Sequence, residues 1–147
     1  MARKTYKRGG EKFVQLGRSL LAHWRRLHLS CGARSLHVEL IDRYNGSNNG
    51  RIYLSSREAA ELLGVTRNTI MRYYEELAIL GFIKETRPHA LGVEGKGRAS
   101  EWRLTHLAAD GKGPTRDFEK TEPLLKNRAT PASKPCQEIV PAPVDKC

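Results

Sequence analysis

Between Leu16 and Leu80 the apolar residues return every three or four positions, in blocks separated by short polar breaks, and this period predicts helices. Leu16, Leu20, Leu21, Trp24 and Leu27 make the first block, a helix that should bury Trp24. Its lead-in, Phe13 to Leu16, reads as a short extended segment. Ser30 is a good N-cap, and Ala33, Leu36, Leu40, Ile41 and Tyr44 form one face of a second helix that should stop at Asn45-Gly46. The run NGSNNG, Asn45 to Gly50, then reads as a loop of residues that tolerate positive φ, and Arg51 to Leu54 as a short strand.

The stretch from Ser55 to Gly81, SSREAAELLGVTRNTIMRYYEELAILG, spells two helices joined by a tight turn. Ser55 can cap the first, and Glu58, three residues on, can return the bond as a capping box. Ala60 is small where the two helix axes must approach, Gly64 can take the left-handed conformation of a sharp exit, and Val65 is apolar inside the turn. Thr66 caps the second helix, whose stripe of Ile70, Tyr73 or Tyr74, Leu77 and Leu80 turns inward. Arg67, Asn68, Met71, Arg72 and Glu75 then face out, most of them in the first two turns.

After Gly81 the period changes to that of extended chain. Phe82 to Arg87 and Arg98 to Thr105 read as two strands around a Gly-rich loop from Pro88 to Gly97, with Trp102 and Leu104 inward and Glu101, Arg103 and Thr105 outward. His89, Lys96 and Arg98 lie among Gly92, Gly95 and Gly97, so that this loop could approach a phosphate closely. From Asp110 onward six of the seven prolines occur, no amphipathic period is sustained, and the segment reads as a disordered tail, dispensable for folding. Within it, Asp117-Phe118-Glu119 is expected to be solvated chain. The expected organisation is a basic arm over residues 1–12, one domain over 13–109 and a flexible tail over 110–147.

At 147 residues the chain has length for one ordinary core and not for two. Lys and Arg number 26 against 16 Asp and Glu, and the net charge of +10 points to a polyanionic partner. The excess is densest in residues 1–12, where five basic side chains meet one acidic. Arg3, Lys4, Lys7 and Arg8 of that arm are candidates to lie along phosphates, with a solubilising tail as the other reading. No apolar run reaches the length of a membrane span and no signal-peptide core follows the basic start, so the expected place is the cytoplasm and its nucleoid. Cys31, Cys136 and Cys147 are too far apart to indicate a disulfide framework or a zinc site.

Catalytic chemistry finds little support. Gly92 to Gly97 is similar to a phosphate-binding loop but lacks a Ser or Thr after Lys96 and the strand-to-helix setting. The five histidines have no ligand-like spacing, and carboxylates such as Glu58, Glu61 and Glu76 stand beside Arg57 or Arg72 as surface ion pairs would. Neither an enzyme nor a cofactor is expected.

With the helix pair, the preceding helices and the hairpin in place, the chain resembles the winged helix-turn-helix proteins of bacteria and their plasmids and phages, over Phe13 to Thr105. RYNGSNNGRI from Arg43 to Ile52, SSREAAELLGVTRNT from Ser55 and RASEWRLT from Arg98 resemble a group of small bacterial helix-turn-helix proteins found near mobile elements. The resemblance implies a mainly α fold with a small β-wing that binds double-stranded DNA. It places the base-reading surface on Arg67, Asn68, Met71 and Arg72, with Thr66 and Thr69 at the start of the same helix, and wing contacts on His89 through Arg98. The Pro-rich tail stands where related proteins carry a ligand-sensing domain, so no small-molecule ligand is expected. The leading expectation is a transcriptional regulator. The alternative is a replication-origin or excision factor of a mobile element using the same surface, and a third reading is a winged helix used only for protein contacts. A homodimer would supply two half-sites, with the first helix as its interface unless Leu20, Leu21, Trp24 and Leu27 are internal.

Overall fold

The computed structural model describes residues 13–90 and 97–123. It is mainly helical, with α1 (Arg18–Arg26), α2 (Cys31–Asp42), β1 (Ile52–Tyr53), α3 (Ser56–Leu63), α4 (Arg67–Ile79), β2 (Ile83–Arg87) and β3 (Glu101–Leu104) in chain order. The strands form one antiparallel sheet in the order β1-β3-β2, with Ile52 opposite Trp102 and Ile83 opposite Leu104. The arm with Arg3, Lys4, Lys7 and Arg8, Lys96 of the loop, and the chain after residue 123 lie outside the described residues.

Local chemistry accounts for the helix ends. Ser30, Ser55 and Thr66 each sit in extended backbone as N-cap and accept a hydrogen bond from the backbone N–H three residues on, which satisfies a donor the helix cannot. Glu58 does not return the bond to Ser55: its carboxylate accepts from the Arg43 guanidinium at 2.5 Å, because the end of α2 passes close by. Glu76 likewise does not pair with Arg72 and instead accepts from the N–H and hydroxyl of Ser30, at 2.8 and 2.6 Å, fixing the start of α2 against α4. Gly64 closes α3 at φ 66° and ψ 33°, a conformation that costs most other residues about 1 kcal/mol or more. The chain turns there through Val65 and Thr66 into α4.

One core collects the inward faces. Leu20 and Trp24 from α1 with Leu27 at its C-cap, Leu36, Leu40 and Ile41 from α2, Ile70, Tyr74 and Leu77 from α4, and Ile52, Ile83, Trp102 and Leu104 from the sheet are all buried in it. Ala59 and Ala60 are buried where α3 meets its neighbours. The first helix therefore turns its apolar stripe inward, with Leu21 half-buried at the margin.

Phe13 to Leu16 leads into α1 outside any helix or strand, with Val14 and Leu16 leaning on the core while Phe13 is exposed. Three expectations need correction. Helix α2 stops at Asp42, before Asn45-Gly46, because Asn45 and Asn48 draw the backbone into side-chain turns of their own. Thr105 does not face out; it is fully buried and donates its hydroxyl to the carbonyls of Gly81 and Phe82. The largest correction concerns the tail. Beyond residue 109 the chain makes a turn in which Ala109 and Lys112 exchange backbone hydrogen bonds, and Arg116 N–H reaches the Thr105 carbonyl at 2.9 Å. A short 3-10 turn, Asp117–Glu119, then seats Phe118 against Phe82 with ring centroids 5.0 Å apart. Phe118 is 2% exposed, so the packed domain continues past its expected limit at 109.

Asn49 explains part of that arrangement. It belongs to NGSNNG yet is buried, with its side chain donating to the carbonyls of Leu104, Leu107 and Ala108 and accepting from Leu104 N–H. One amide, its two N–H groups shared among three carbonyls and its oxygen held by Leu104 N–H, thereby ties the end of β3 to the chain just after it.

Candidate functional site

Helix α4 and the β2–β3 hairpin stand on either side of an open cleft of about 1020 Å³. Arg67, Asn68, Met71 and Glu75, one turn apart in pairs, form the helical wall; Glu85, His89, Arg98 and Ser100 form the hairpin wall. The floor is largely apolar. Tyr74 and Trp102 stack across it with centroids 4.9 Å apart and planes 9° apart, and the Tyr74 hydroxyl donates to the Leu54 carbonyl at 2.7 Å. Burial pushes the Tyr74 phenol well above its usual range, with Glu58 adding to the rise and Arg43 opposing it, so the hydroxyl stays a donor at any ordinary pH.

The walls owe their direction to what lies beneath them. Because Ile70, Tyr74 and Leu77 point into the core, Arg67, Asn68 and Met71 point away from it, and all three are exposed. The Thr66 hydroxyl holds Thr69 N–H at 3.3 Å and lies 2.9 Å from the Thr69 hydroxyl, which stiffens the first turn from which Arg67 and Asn68 project. On the other wall Ala90 and Arg98 exchange backbone hydrogen bonds at 3.3 and 2.9 Å, closing the hairpin below its loop. His89 N–H is held by the Ser100 hydroxyl at 3.1 Å.

Of the residues expected to act together, Arg67, Asn68, Met71, His89 and Arg98 converge on this cleft. Arg72 is exposed on α4 one turn after Asn68 and does not line the cleft, and Thr66 and Thr69 serve the helix start. Glu85 and Ser100 are added, as are Ser55 and Ser56 at the start of α3. The inward alternation that buries Trp102 also carries its partner Glu85 to the cleft, a signal present in the strand register. Ser55 reads from sequence only as a cap.

The charges in the cleft are divided. Arg67 on the α4 wall and Arg98 on the hairpin wall make no ion pair among the described residues, while Glu75 of α4 and Glu85 of β2 add a carboxylate to each wall. Such a surface offers cationic donors for an anion at the start of α4, and a mixed donor, acceptor and apolar face beyond it. Among the described residues, no group of three or more His, Cys, Asp and Glu side chains gathers as a metal site requires, and no helix is long and apolar enough to cross a membrane. Set against models of known protein families, curated proteins and solved structures, the chain matches none.

Proposed function

We propose that this chain is a sequence-specific double-stranded DNA-binding protein of winged helix-turn-helix type, acting as a transcriptional regulator by binding and not by catalysis. In this reading α3, the turn at Gly64 and α4 are the helix-turn-helix, and the β2–β3 hairpin is the wing. The observation that carries it is the convergence of Arg67, Asn68 and Met71 with His89 and Arg98 on the walls of one cleft. A helix inserted in a major groove needs exposed donors and acceptors on its first two turns, and a hairpin beside it can hold the flanking backbone. Arg67 suits the paired acceptors of guanine, and Asn68 the donor and acceptor of adenine. The net charge of +10 favours a polyanionic partner.

Selection of bound duplexes from a random pool tests the reading. The expected result is one enriched sequence whose affinity falls by about 1 to 3 kcal/mol on Arg67→Ala, with much less change on random duplex. Equal retention of all sequences, or an equal effect of Arg67→Ala on every duplex, would refute it.

A further inference from the structure

Met71 contributes little to the fold. The inner face of α4 is filled by Ile70, Tyr74 and Leu77, and the floor beneath Met71 is closed by the stacked rings of Tyr74 and Trp102. Met71 itself is 48% exposed, and it sits on the cleft wall one turn after Arg67 and Asn68 and one turn before Glu75. The other large exposed apolar side chains among the described residues, Phe13, Tyr53, Leu62 and Ile79, lie outside the walls of this cleft. A flexible thioether is thus held in water in the middle of a polar helical face, where a charged residue would serve solubility better.

The groups that surround it define what it could meet. Arg67, Asn68 and Glu75 are hydrogen-bonding side chains, matched to the hydrogen-bonding atoms of base-pair edges. In a major groove the apolar group on those edges is the methyl on C5 of a pyrimidine, carried by thymine and by 5-methylcytosine. We propose that Met71 is a specificity-determining residue that covers a pyrimidine C5 methyl in the bound site. This rests on the reading that α4 enters the major groove. It adds that the site has a pyrimidine methyl within one turn of the bases met by Arg67 and Asn68, and that its removal is felt through Met71.

The experiment uses the full chain and the duplex enriched by selection. Each thymine is replaced in turn by deoxyuridine, which deletes only the methyl, and in a second series each cytosine is replaced by 5-methylcytosine. Binding of the parent should weaken about fourfold at one or two thymine positions, the worth of burying one methyl-sized group. A gain at a cytosine position in place of that loss would assign the methyl to 5-methylcytosine. Met71→Ala and Met71→Gln should bind thymine and deoxyuridine duplexes alike, and Met71→Leu should keep the discrimination. All three should fold, because the side chain is on the surface. Parent and Met71→Ala responding identically in both series overturns this inference and leaves the DNA reading standing; absence of any selected duplex overturns the DNA reading and this inference with it.

Discussion

His37 has no exposed surface, and its Nδ1 accepts a hydrogen bond from Trp24 Nε1 at 3.1 Å. An accepting Nδ1 in a neutral ring leaves the proton on Nε2, which is buried with no partner among the described residues. The ring of His106 stands 5.5 Å away, edge-on, with its own Nδ1 also buried and unpartnered. Burial, aided by the neighbouring His106, holds His37 down at about 3; burial, aided by Arg116, holds His106 at about 4. Both values lie below the 6.5 of an exposed imidazole, so the unfolded chain binds more protons than the folded one once the pH drops under 6.5. Above that pH both states carry neutral rings, and the two histidines add no pH dependence to stability. Below it, each histidine should lower stability by about 1.4 kcal/mol per pH unit, until the folded state itself takes up the proton near 4 for His106 and near 3 for His37. Denaturant unfolding from pH 7.5 to pH 4.5 checks this. A flat profile, or a slope that His37→Gln does not reduce, would mean that the ring is not held neutral by burial.

At the scale of elements, the α3–α4 pair is set by how closely two helices approach. Ala60 is 8% exposed, and its carbonyl accepts from Val65 N–H at the turn. Ala60→Leu adds volume where the helices meet and should lower stability by about 1 to 3 kcal/mol, read as a drop in thermal midpoint. An unchanged midpoint would show that the added side chain escapes to solvent. This pair is also where the chain was most readable, since its caps at Ser55 and Thr66, its glycine exit and its inward stripe are all local signals with partners within four residues. The hairpin was readable for the same reason, through the alternation that buries Trp102 and Leu104. What stayed hidden depends on distant partners. Asn49 looks like any turn asparagine until its acceptors at Leu104 and Leu107 are brought near, and Glu58 and Glu76 look like surface carboxylates until Arg43 and Ser30 reach them. The cleft was legible as a set of residues on the two elements, but which of the exposed α4 residues line it follows from the helix rotation that the core selects.

Over the whole molecule, the segment after Thr105 links parts that are otherwise far apart. Phe118 stacks on Phe82, meets the His23 ring edge-on with centroids 5.0 Å apart, and offers its carbonyl to Arg26 at 2.9 Å. Gly81 makes room for it: φ there is 80°, and a Cβ would lie 2.8 Å from the Phe118 nitrogen. Composition hid this seat, since a single aromatic among prolines and charges carries no period. Phe118→Ala should lower stability by about 3 to 5 kcal/mol, the cost of emptying a buried aromatic site. Truncation after residue 109 should be at least as damaging, whereas a chain ending at residue 123 should keep the stability that Phe118 confers. An equal thermal midpoint for the parent and for the chain truncated after residue 109 would show that the segment adds nothing to the core.

The contact between Arg26 and Phe118 spans 92 positions along the chain. During synthesis from the N-terminus, the four helices and three strands of the described residues leave the ribosome before Phe118 does. Until that residue emerges, Phe82 and His23 lack the Phe118 ring, so the nascent domain has the helices and strands of its described residues but an open seat beside Gly81. A ribosome-held chain that exposes residues up to 110 should be cut readily by protease, and one that exposes residues up to 123 should resist, placing the closure of the fold at the Asp117–Glu119 turn.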